Sequence, residues 1–238
     1  MKALLWVIFI FGGFLLGSIY FSNFIVKSVA KKSVFSASDD GNPGAANAWK
    51  LCGPKWGFLC FFLDFAKGFV PVLIATFVVD TTNILFSFVV AAPVLGHAVG
   101  IFNNFQGGKC ISVSFGAMFG TLTVTWGGLF LLAGYVLFCL ILHVKPNGIM
   151  SICSFTSFGI AGAIFYGIRG EISYLLACVF VAVIADVRHL MKIRQEIASY
   201  KEKKLASGFE QQEAPEFPAE EDDEEEQEGT GAGVAKAE

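Results

Sequence analysis

The amino-acid sequence predicts an all-α, polytopic membrane protein with about seven transmembrane helices and a disordered, acidic C-terminal tail. Hydrophobic residues make up 55% of the 238 residues and charged residues only 16%, whereas about a quarter of the residues of a soluble domain are charged. Stretches with almost no charge recur before about Leu190, and each approaches the ~20 apolar residues that a helix needs to cross a bilayer. The remaining charges are unevenly distributed, and this pattern predicts both the tail and the orientation.

Six windows with little or no charge mark the candidate spans. They are Ala3–Val26, Trp56–Val79, Thr81–Asn103, Ile111–Val144, Ile149–Ile168 and Ile172–Val187. The first window is longer than the apolar part of a secretory signal and no clear cleavage site closes it, which favours a spanning helix. The window Ile111–Val144 is too long for one ordinary helix. We expect it to divide at Gly127-Gly128 into two short helices, which gives seven spans; one long tilted helix would give six.

Lysine and arginine residues predict the orientation of these spans. Five lysines lie at 27–55 and six basic residues lie at 188–204, and such segments favour the cytoplasmic side. Both can share that side only if an even number of helices separates them, which seven spans satisfy with the N-terminus outside. Lys109 and Lys145 then also lie on the cytoplasmic side.

The last part of the chain differs in composition from the rest. Residues 205–238 contain twelve of the 20 acidic residues but one lysine. Such a segment cannot bury enough apolar area to offset its chain entropy. We therefore predict a membrane domain at residues 1–204 and a disordered tail at 205–238. A regulatory or partner-binding tail remains the alternative.

Six cysteines are scattered through mostly apolar segments, and none has the CxxC or CxxH spacing that is typical of zinc sites. We expect buried, unreactive thiols and no metal site.

Four polar segments fall on the predicted cytoplasmic side. They are Asp40–Lys50, Gly96–Lys109, Lys145–Ser151 and Arg188-His189. Glycines let backbone N–H groups approach an anion, and lysines add positive charge. Taken singly, the segments are also explained as ordinary turns and as basic residues attracted to lipid headgroups. Their recurrence on one face predicts a ligand that carries phosphate.

Two ionisable residues, Asp64 and Lys67, lie within the second window. They are three residues apart and so share one face of a helix. An internal ion pair that orders the helix bundle is the preferred interpretation.

Together these residues resemble the motifs of the bacterial acyl-phosphate-dependent glycerol-3-phosphate acyltransferases. Asp40-Gly41-Asn42-Pro43-Gly44-Ala45-Ala46-Asn47 is similar to the family's Ser-Gly-Asn-x-Gly-Ala-Thr-Asn, and Leu63-Asp64-Phe65-Ala66-Lys67-Gly68 to its Leu-Asp-x-x-Lys-Gly. Gly96-His97, Phe102, Phe105 and Gly107-Gly108-Lys109 resemble its Gly-His-x4-Phe-x2-Phe-Lys-Gly-Gly-Lys-Gly. Gly17-Ser18-Ile19 and Arg188-His189 also resemble family motifs. The resemblance covers about Gly17–Arg194, in the expected order.

The resemblance implies a fold, a reaction and a location. The fold is seven membrane helices with the N-terminus outside, in the inner membrane of a bacterial cell, with the C-terminus and the active site cytoplasmic. The reaction moves a fatty acyl group from acyl phosphate to the 1-hydroxyl of sn-glycerol 3-phosphate, giving lysophosphatidic acid and phosphate in phospholipid biosynthesis. It implies no cofactor and no metal. The expected partners are the two substrates and the lipid bilayer, without nucleic acid; no protein partner is identified.

The same resemblance assigns the site residues. The catalytic residues are Lys50, Lys109 and His189. The substrate-binding residues are Asp40, Asn42, Gly44, Asn47, His97, Gly107, Gly108, Ser151 and Arg188.

Several positions depart from the family motifs. Asp40 stands where the family has serine and brings a negative charge near the expected phosphate. Lys50 and Lys145 replace arginine, which keeps the charge but loses the planar, two-pronged donor. Gln106 replaces a lysine and Cys110 replaces a glycine. Gly148 stands where serine is usual and Lys192 where asparagine is usual.

Two other functions remain open. The chain could be a catalytically altered paralogue that acts as a membrane binding or regulatory protein, which Asp40 would favour. It could also be a transporter of a small anion, but the polar residues cluster on one face rather than at the bilayer midplane, and no inverted repeat is visible.

Overall fold

The computed structural model describes residues 2–38 and 41–213, and within this part of the chain all regular structure is helical. The predicted all-α class is confirmed. In chain order the helices are α1 (Lys2–Gly17), α2 (Phe21–Ala30), α3 (Val34–Ala37), α4 (Ala45–Cys52), α5 (Pro54–Val78), α6 (Leu85–Val99), α7 (Ile111–Gly120), α8 (Gly127–Tyr135), α9 (Asn147–Ile168) and α10 (Ile172–Glu213). A 3₁₀ turn, Ile101–Asn103, follows α6, and a π-helical turn, Val136–Ile141, extends α8.

Among the described residues, five segments are long and apolar enough to cross a membrane. They are Lys2–Ala30, Pro54–Val78, Leu85–Asn103, Asn147–Ile168 and Ile172–Arg194. The remaining apolar helices, α7 and α8, have 10 and 9 residues. At 1.5 Å per residue α7 rises about 15 Å, and α8 with its π-helical extension, Gly127–Ile141, rises about 20 Å, both less than the ~30 Å of the hydrocarbon core. The predicted seven spans therefore appear as five full-length spans and two short helices.

The long window Ile111–Val144 divides as the sequence predicts. Helix α7 ends at Gly120 and α8 begins at Gly127, so the break lies just before the predicted Gly127-Gly128. Met118 explains the position, because the methyl group of its side chain would lie 2.4 Å from a Cβ at Gly127. The glycine leaves room here for the Met118 side chain to pack against the start of α8.

The first window is a candidate span, Lys2–Ala30, as predicted, but its helix is interrupted at Ser18-Ile19-Tyr20. The Ser18 hydroxyl donates to the carbonyl of Gly96 on α6 at 3.1 Å. The Lys67 ammonium, from α5, donates to the Ile19 carbonyl at 2.6 Å. Lys67 thus satisfies a carbonyl that an uninterrupted helix would satisfy internally, as membrane helices require wherever they break, and Ser18 ties the break to α6.

Glycines let the helices pack backbone against backbone. A Cβ at Gly17 of α1 would lie 2.1 Å from the Pro93 carbonyl oxygen of α6. A Cβ at Gly116 of α7 would lie 2.0 Å from the Phe65 carbonyl oxygen of α5. Close contact between small residues is how membrane helices associate where lipid removes the hydrophobic driving force. These contacts set the relative heights of α1, α5, α6 and α7.

The connecting segments gather at two ends of the bundle. At one end the Ser173 hydroxyl donates to the Asn83 carbonyl at 3.0 Å, and the Trp126 amide donates to the Tyr166 hydroxyl at 2.8 Å. The other end gathers the four polar segments. This grouping matches the two faces that the charge pattern predicts, while the side that faces the cytoplasm stays a prediction.

By its contacts the chain divides into two units, residues 1–201 and 202–238. The second unit is described only at 202–213, where α10 ends. The predicted boundary between 204 and 205 stays a prediction. Most of the acidic tail lies outside the described residues.

Candidate functional site

The segment before α4 is folded around Asn42. The Asn47 side-chain amide donates to the Asn42 carbonyl at 2.8 Å, and the Gly44 amide donates to the same carbonyl at 2.9 Å. The Ser22 hydroxyl of α2 holds the next carbonyl, that of Pro43, at 2.9 Å. Both asparagines are buried. They therefore shape this loop as well as adding polar groups to it.

Asn42 also joins this loop to the segment before α7. The Lys109 backbone amide donates to the Asn42 side-chain oxygen at 3.1 Å. The two residues are 67 positions apart in the chain. The contact brings the predicted first and second polar segments together at one place.

At Gly107 and Gly108 the loop approaches the end of α6 so closely that a side chain would not fit. A Cβ at Gly107 would lie 1.6 Å from the Ala98 carbonyl oxygen, and one at Gly108 would lie 2.2 Å from His97 Nε2. The Gly108 amide donates to the His97 carbonyl at 3.0 Å. Because the amides of Gly108 and Lys109 are already engaged, neither is open to an anion in this state. Positive charge at the loop comes instead from side chains.

Arg188 holds the same loop from α10. Its Nε donates to the Gly108 carbonyl at 3.2 Å, and its Nη2 donates to the Gly107 carbonyl. The guanidinium group thus caps two adjacent carbonyls with its planar fork of donors. Three segments distant in the chain, around Asn42, Gly108 and Arg188, therefore form one contact network.

Two cavities meet at Arg188. One, of about 400 Å³, has a mixed polar lining: Phe35, Gly41, Gln106, Gly107, Arg188, Met191 and Lys192. The other, also about 400 Å³, lies between α6 and α10 and is mostly apolar: Leu95, Ala98, Val99, Phe105, Val183, Ile184, Val187 and Arg188. A polar cavity beside an apolar one, joined at a cation, fits an anionic group with a hydrocarbon chain attached.

His97 belongs to a buried polar network beside the glycines. Its Nδ1 lies 2.8 Å from the Lys67 ammonium, and its carbonyl accepts a hydrogen bond from the Tyr20 hydroxyl at 2.6 Å. Lys67 also forms the ion pair with Asp64, at 2.8 Å. The pair predicted from the sequence is therefore present. Its cationic end reaches His97 as well as Asp64.

His189 and Ser151 lie in a second buried polar cluster. Both are 1% exposed, and among the described residues neither ring nitrogen of His189 nor the hydroxyl of Ser151 makes a hydrogen bond. The Tyr135 hydroxyl lies beside that of Ser151, and the His189 ring lies beside the Lys109 backbone. Buried polar atoms without partners are uncommon in native proteins. Tyr135 and His189 both lie against the ring of Phe155, and the buried cluster of Tyr135, Ser151 and His189 is suited to receive polar groups of a ligand.

The remaining predicted site residues are Lys50, Lys109, Gly44 and Asp40. Lys50 is exposed on the last turn of α4, and Lys109 is half-buried. Gly44 is the N-cap residue of α4. Asp40 lies outside the described residues. Within 2–38 and 41–213, no group of three or more His, Cys, Asp or Glu side chains could hold a metal ion.

Cys110 follows the glycine loop and departs from the glycine of the resembled motif. It adopts φ +65°, in the left-handed region that favours glycine. Its thiol lies 3.5 Å from the Gly108 carbonyl and is buried. Burial raises the pKa of this thiol to about 12, so it is neutral at physiological pH and unsuited to act as a nucleophile.

Sequence reasoning missed three polar residues of this region: Tyr20, Tyr135 and Asp186. Tyr20 lies in the break between α1 and α2. Tyr135 directly precedes the π-helical turn, and such turns are frequent at functional sites. Asp186 accepts a hydrogen bond from the Thr156 hydroxyl at 2.8 Å. A charged residue within an apolar window is a signal that could have identified Asp186.

Comparisons with known proteins match nearly the whole membrane-embedded part. A family model described as glycerol-3-phosphate acyltransferase matches residues 7–199. The glycerol-3-phosphate acyltransferase of Maridesulfovibrio salexigens is 32% identical over 207 residues, covering 84% of this chain and 100% of that protein. The enzyme of that name from Aquifex aeolicus is 40% identical over 145 residues, covering 57% of this chain and 72% of that protein.

A solved structure has the same fold. The integral membrane glycerol 3-phosphate acyltransferase PlsY (YgiH), in its glycerol 3-phosphate form, superposes with a TM-score of 0.66 at 29% identity. The match covers 82% of this chain and 92% of that one. The lysophosphatidic acid form superposes with a TM-score of 0.64.

Proposed function

Because the chain belongs to the glycerol-3-phosphate acyltransferase family, we propose that it transfers a fatty acyl group from acyl phosphate to the 1-hydroxyl of sn-glycerol 3-phosphate. The products are lysophosphatidic acid and inorganic phosphate, which makes the reaction a step of phospholipid biosynthesis. The chain is a membrane acyltransferase and its acceptor is glycerol 3-phosphate. What we propose beyond this is the identity of the donor, acyl phosphate, and of the hydroxyl that reacts.

One observation carries the proposal for this chain: Asn42 and Arg188 both contact the Gly107–Lys109 loop. They come from segments that are far apart in the sequence but meet at one end of the bundle. Lys109, Arg188 and Lys192 supply positive charge there, and Lys192 and Arg188 line the polar cavity. Such a site supports the binding of phosphorylated substrates at the membrane boundary.

The chemistry needs positioning more than it needs a strong catalyst. Acyl phosphate is a mixed anhydride and is already activated, so the protein mainly has to hold two phosphates and orient the attack. The acceptor hydroxyl oxygen attacks the acyl carbon, and the bond from that carbon to the phosphate oxygen breaks. The departing phosphate takes the hydroxyl proton. Positive side chains stabilise the negative charge that accumulates on the phosphate and on the carbonyl oxygen.

We assign roles to the candidate residues on this basis. Lys109 and Lys50 bind phosphate by charge, and Arg188 holds the glycine loop and faces the polar cavity. Asn42, Asn47 and Gly44 shape the facing loop. His189 and Ser151 contribute polar contacts to substrate from the buried cluster with Tyr135.

The apolar cavity between α6 and α10 is proposed to receive the acyl chain. Its lining includes Leu95, Val99 and Val187, and it shares Arg188 with the polar cavity. An acyl phosphate lying across Arg188 would keep its chain in the apolar cavity and its phosphate in the polar one. The attacked carbon would then lie at the junction, next to the glycine loop.

A catalytically altered paralogue is the second candidate, because relative to the family motif Asp40 adds a negative charge and Gln106 removes a positive one. One experiment addresses both candidates. Purified protein in detergent is given acyl phosphate and radiolabelled glycerol 3-phosphate, and lysophosphatidate is measured directly, with acyl-coenzyme A as the alternative donor. Product from acyl phosphate alone supports the proposal. Inactivity of a folded protein with both donors would favour the paralogue.

We further propose that the chain lies in the inner membrane of a bacterial cell with this site facing the cytoplasm, as the basic segments favour. Reporter fusions after residue 201 should then report a cytoplasmic C-terminus. A periplasmic readout would contradict the orientation.

A further inference from the structure

Lys67 is the centre of a buried network that the proposed reaction does not use directly. It is 2% exposed, as is Asp64. An ionised side chain at such depth is costly unless all its protons have partners. The Lys67 ammonium has three partners: Asp64 Oδ1 at 2.8 Å, the Ile19 carbonyl at 2.6 Å and His97 Nδ1 at 2.8 Å.

This arrangement determines the tautomer of His97. An ammonium group donates three hydrogen bonds and accepts none. His97 Nδ1 must therefore accept, which leaves it without a proton. A neutral imidazole then carries its single proton on Nε2. A second proton on Nδ1 would point at the ammonium, so the doubly protonated form is also disfavoured.

The Nε2–H group is directed at the glycine loop. A Cβ on Gly108 would lie 2.2 Å from His97 Nε2, so this nitrogen lies against the Cα of Gly108. The ring is held at Nδ1 by Lys67 and packs against the Tyr20 ring, with 5.1 Å between the ring centroids, while the His97 backbone carbonyl accepts from the Tyr20 hydroxyl and the Gly108 amide. The ring is therefore fixed at both ends.

From these contacts we propose that Lys67, held by Asp64, is a positioning residue that presents His97 Nε2–H as a hydrogen-bond donor beside Gly108. Its target is an anionic oxygen of a phosphorylated substrate, so the inference rests on the proposed function. In metal sites, groups that hydrogen-bond to the free ring nitrogen of a histidine fix its tautomer in the same way. The ion pair thus has a role beyond ordering the bundle.

The first test is spectroscopic and does not depend on turnover. The chain has three histidines, so ¹⁵N-labelled imidazole signals can be assigned with His143→Asn and His189→Gln variants of the protein in detergent. We expect His97 to show an unprotonated Nδ1 and a protonated Nε2 at neutral pH. The double variant Asp64→Asn/Lys67→Met should give a mixture of tautomers. A proton on Nδ1 in the unaltered protein, or an unchanged His97 signal in the double variant, would overturn the proposal.

The second test compares two substitutions of His97. Asparagine can place its oxygen where Nδ1 accepts from Lys67 but has no donor at the Nε2 position, whereas glutamine can place an N–H group there. His97→Asn should lower kcat/KM for glycerol 3-phosphate by about 100-fold, the order expected for one lost donor to substrate charge. His97→Gln should retain at least ten times the activity of His97→Asn. Equal activity of the two variants would contradict a donor role.

The two tests separate this inference from the proposed function. If the unaltered protein shows the expected tautomer but no acyl transfer, then the positioning of His97 stands and the proposed reaction fails. If acyl transfer is present and the tautomer is the opposite one, then the reaction stands and the role of Lys67 fails.

Discussion

Replacing Gly108 with alanine should separate the glycine loop from His97. A Cβ at this position would lie 2.2 Å from His97 Nε2, while ordinary contact begins at 3.4 Å. The two groups must therefore move apart by roughly 1.2 Å, the difference between these distances. The ring of His97 is held by Lys67 at 2.8 Å and its carbonyl by Tyr20 at 2.6 Å, so the loop has to give way.

The loop carries Lys109 and the two carbonyls that Arg188 caps. A displacement of about 1 Å in a site that acts by positioning costs on the order of 100-fold in rate. We therefore expect Gly108→Ala to lower kcat/KM by about 100-fold, measured as lysophosphatidate formed from acyl phosphate and glycerol 3-phosphate. The variant should still insert and purify, because the change leaves the helix packing intact.

Gly12→Ala is the matched control. Gly12 lies on α1 and has no group within 4 Å of a Cβ built on it. Its replacement should leave kcat/KM within about twofold, since a helical glycine is replaced by a better helix former. If kcat/KM is unaltered in Gly108→Ala, then activity does not require the close contact between the loop and His97.

Three other predictions follow from separate features. Cys110 should resist a thiol reagent in the folded protein from pH 7 to 9, because only the thiolate reacts and burial raises the thiol pKa to about 12. Mass spectrometry measures the labelling, and rapid, complete labelling of Cys110 at pH 8 would contradict its burial. Asp64→Asn should destabilise the protein by roughly 3 kcal/mol, because it leaves a buried ammonium without its carboxylate. Adding Lys67→Met should restore stability, measured by thermal unfolding. If stability is not restored, the ion pair between Asp64 and Lys67 is contradicted. Asp40→Ser should change the rate of acyl transfer less than tenfold, whereas a large gain from near zero would identify a catalytically altered paralogue.

Most of the fold could be predicted from the sequence because lipid imposes a simple rule. A spanning segment must be apolar and must satisfy its own backbone, so the windows around α5, α6, α9 and α10 were found from charge alone. The division of the window Ile111–Val144 was also visible, because two adjacent glycines interrupt it. That the two helices would be short was predicted as well, but their exact ends were not visible, since helix ends depend on local contacts.

The break at Ser18-Ile19-Tyr20 could not be predicted from the apolar window that contains it. It depends on Lys67, which is 48 positions from Ile19 and reaches its carbonyl from another helix. Hydropathy treats each window separately and cannot report such a contact. The Gly-Ser-Ile motif was noticed only through the family resemblance.

The sequence indicated which polar segments lie together, but not what holds them there. The sequence predicted that the segments around Asn42 and Gly108 would meet, and Lys109 contacts Asn42. It also predicted an open cradle of backbone N–H groups. The structure instead engages the amides of Gly108 and Lys109, and the glycines serve close packing against Ala98 and His97. Sequence shows where glycine occurs but not which neighbour requires it.

Lysophosphatidate formation by a Lys109→Ala variant is the most direct measurement of the central claim, which is that clustered cations at one end of the bundle bind the phosphorylated substrates. The reference is Lys32→Ala, which removes an exposed lysine that the account gives no role. We predict that Lys109→Ala loses acyl transfer from acyl phosphate to glycerol 3-phosphate while Lys32→Ala retains it, both at equal amounts of inserted protein. Full activity in Lys109→Ala would contradict the phosphate site.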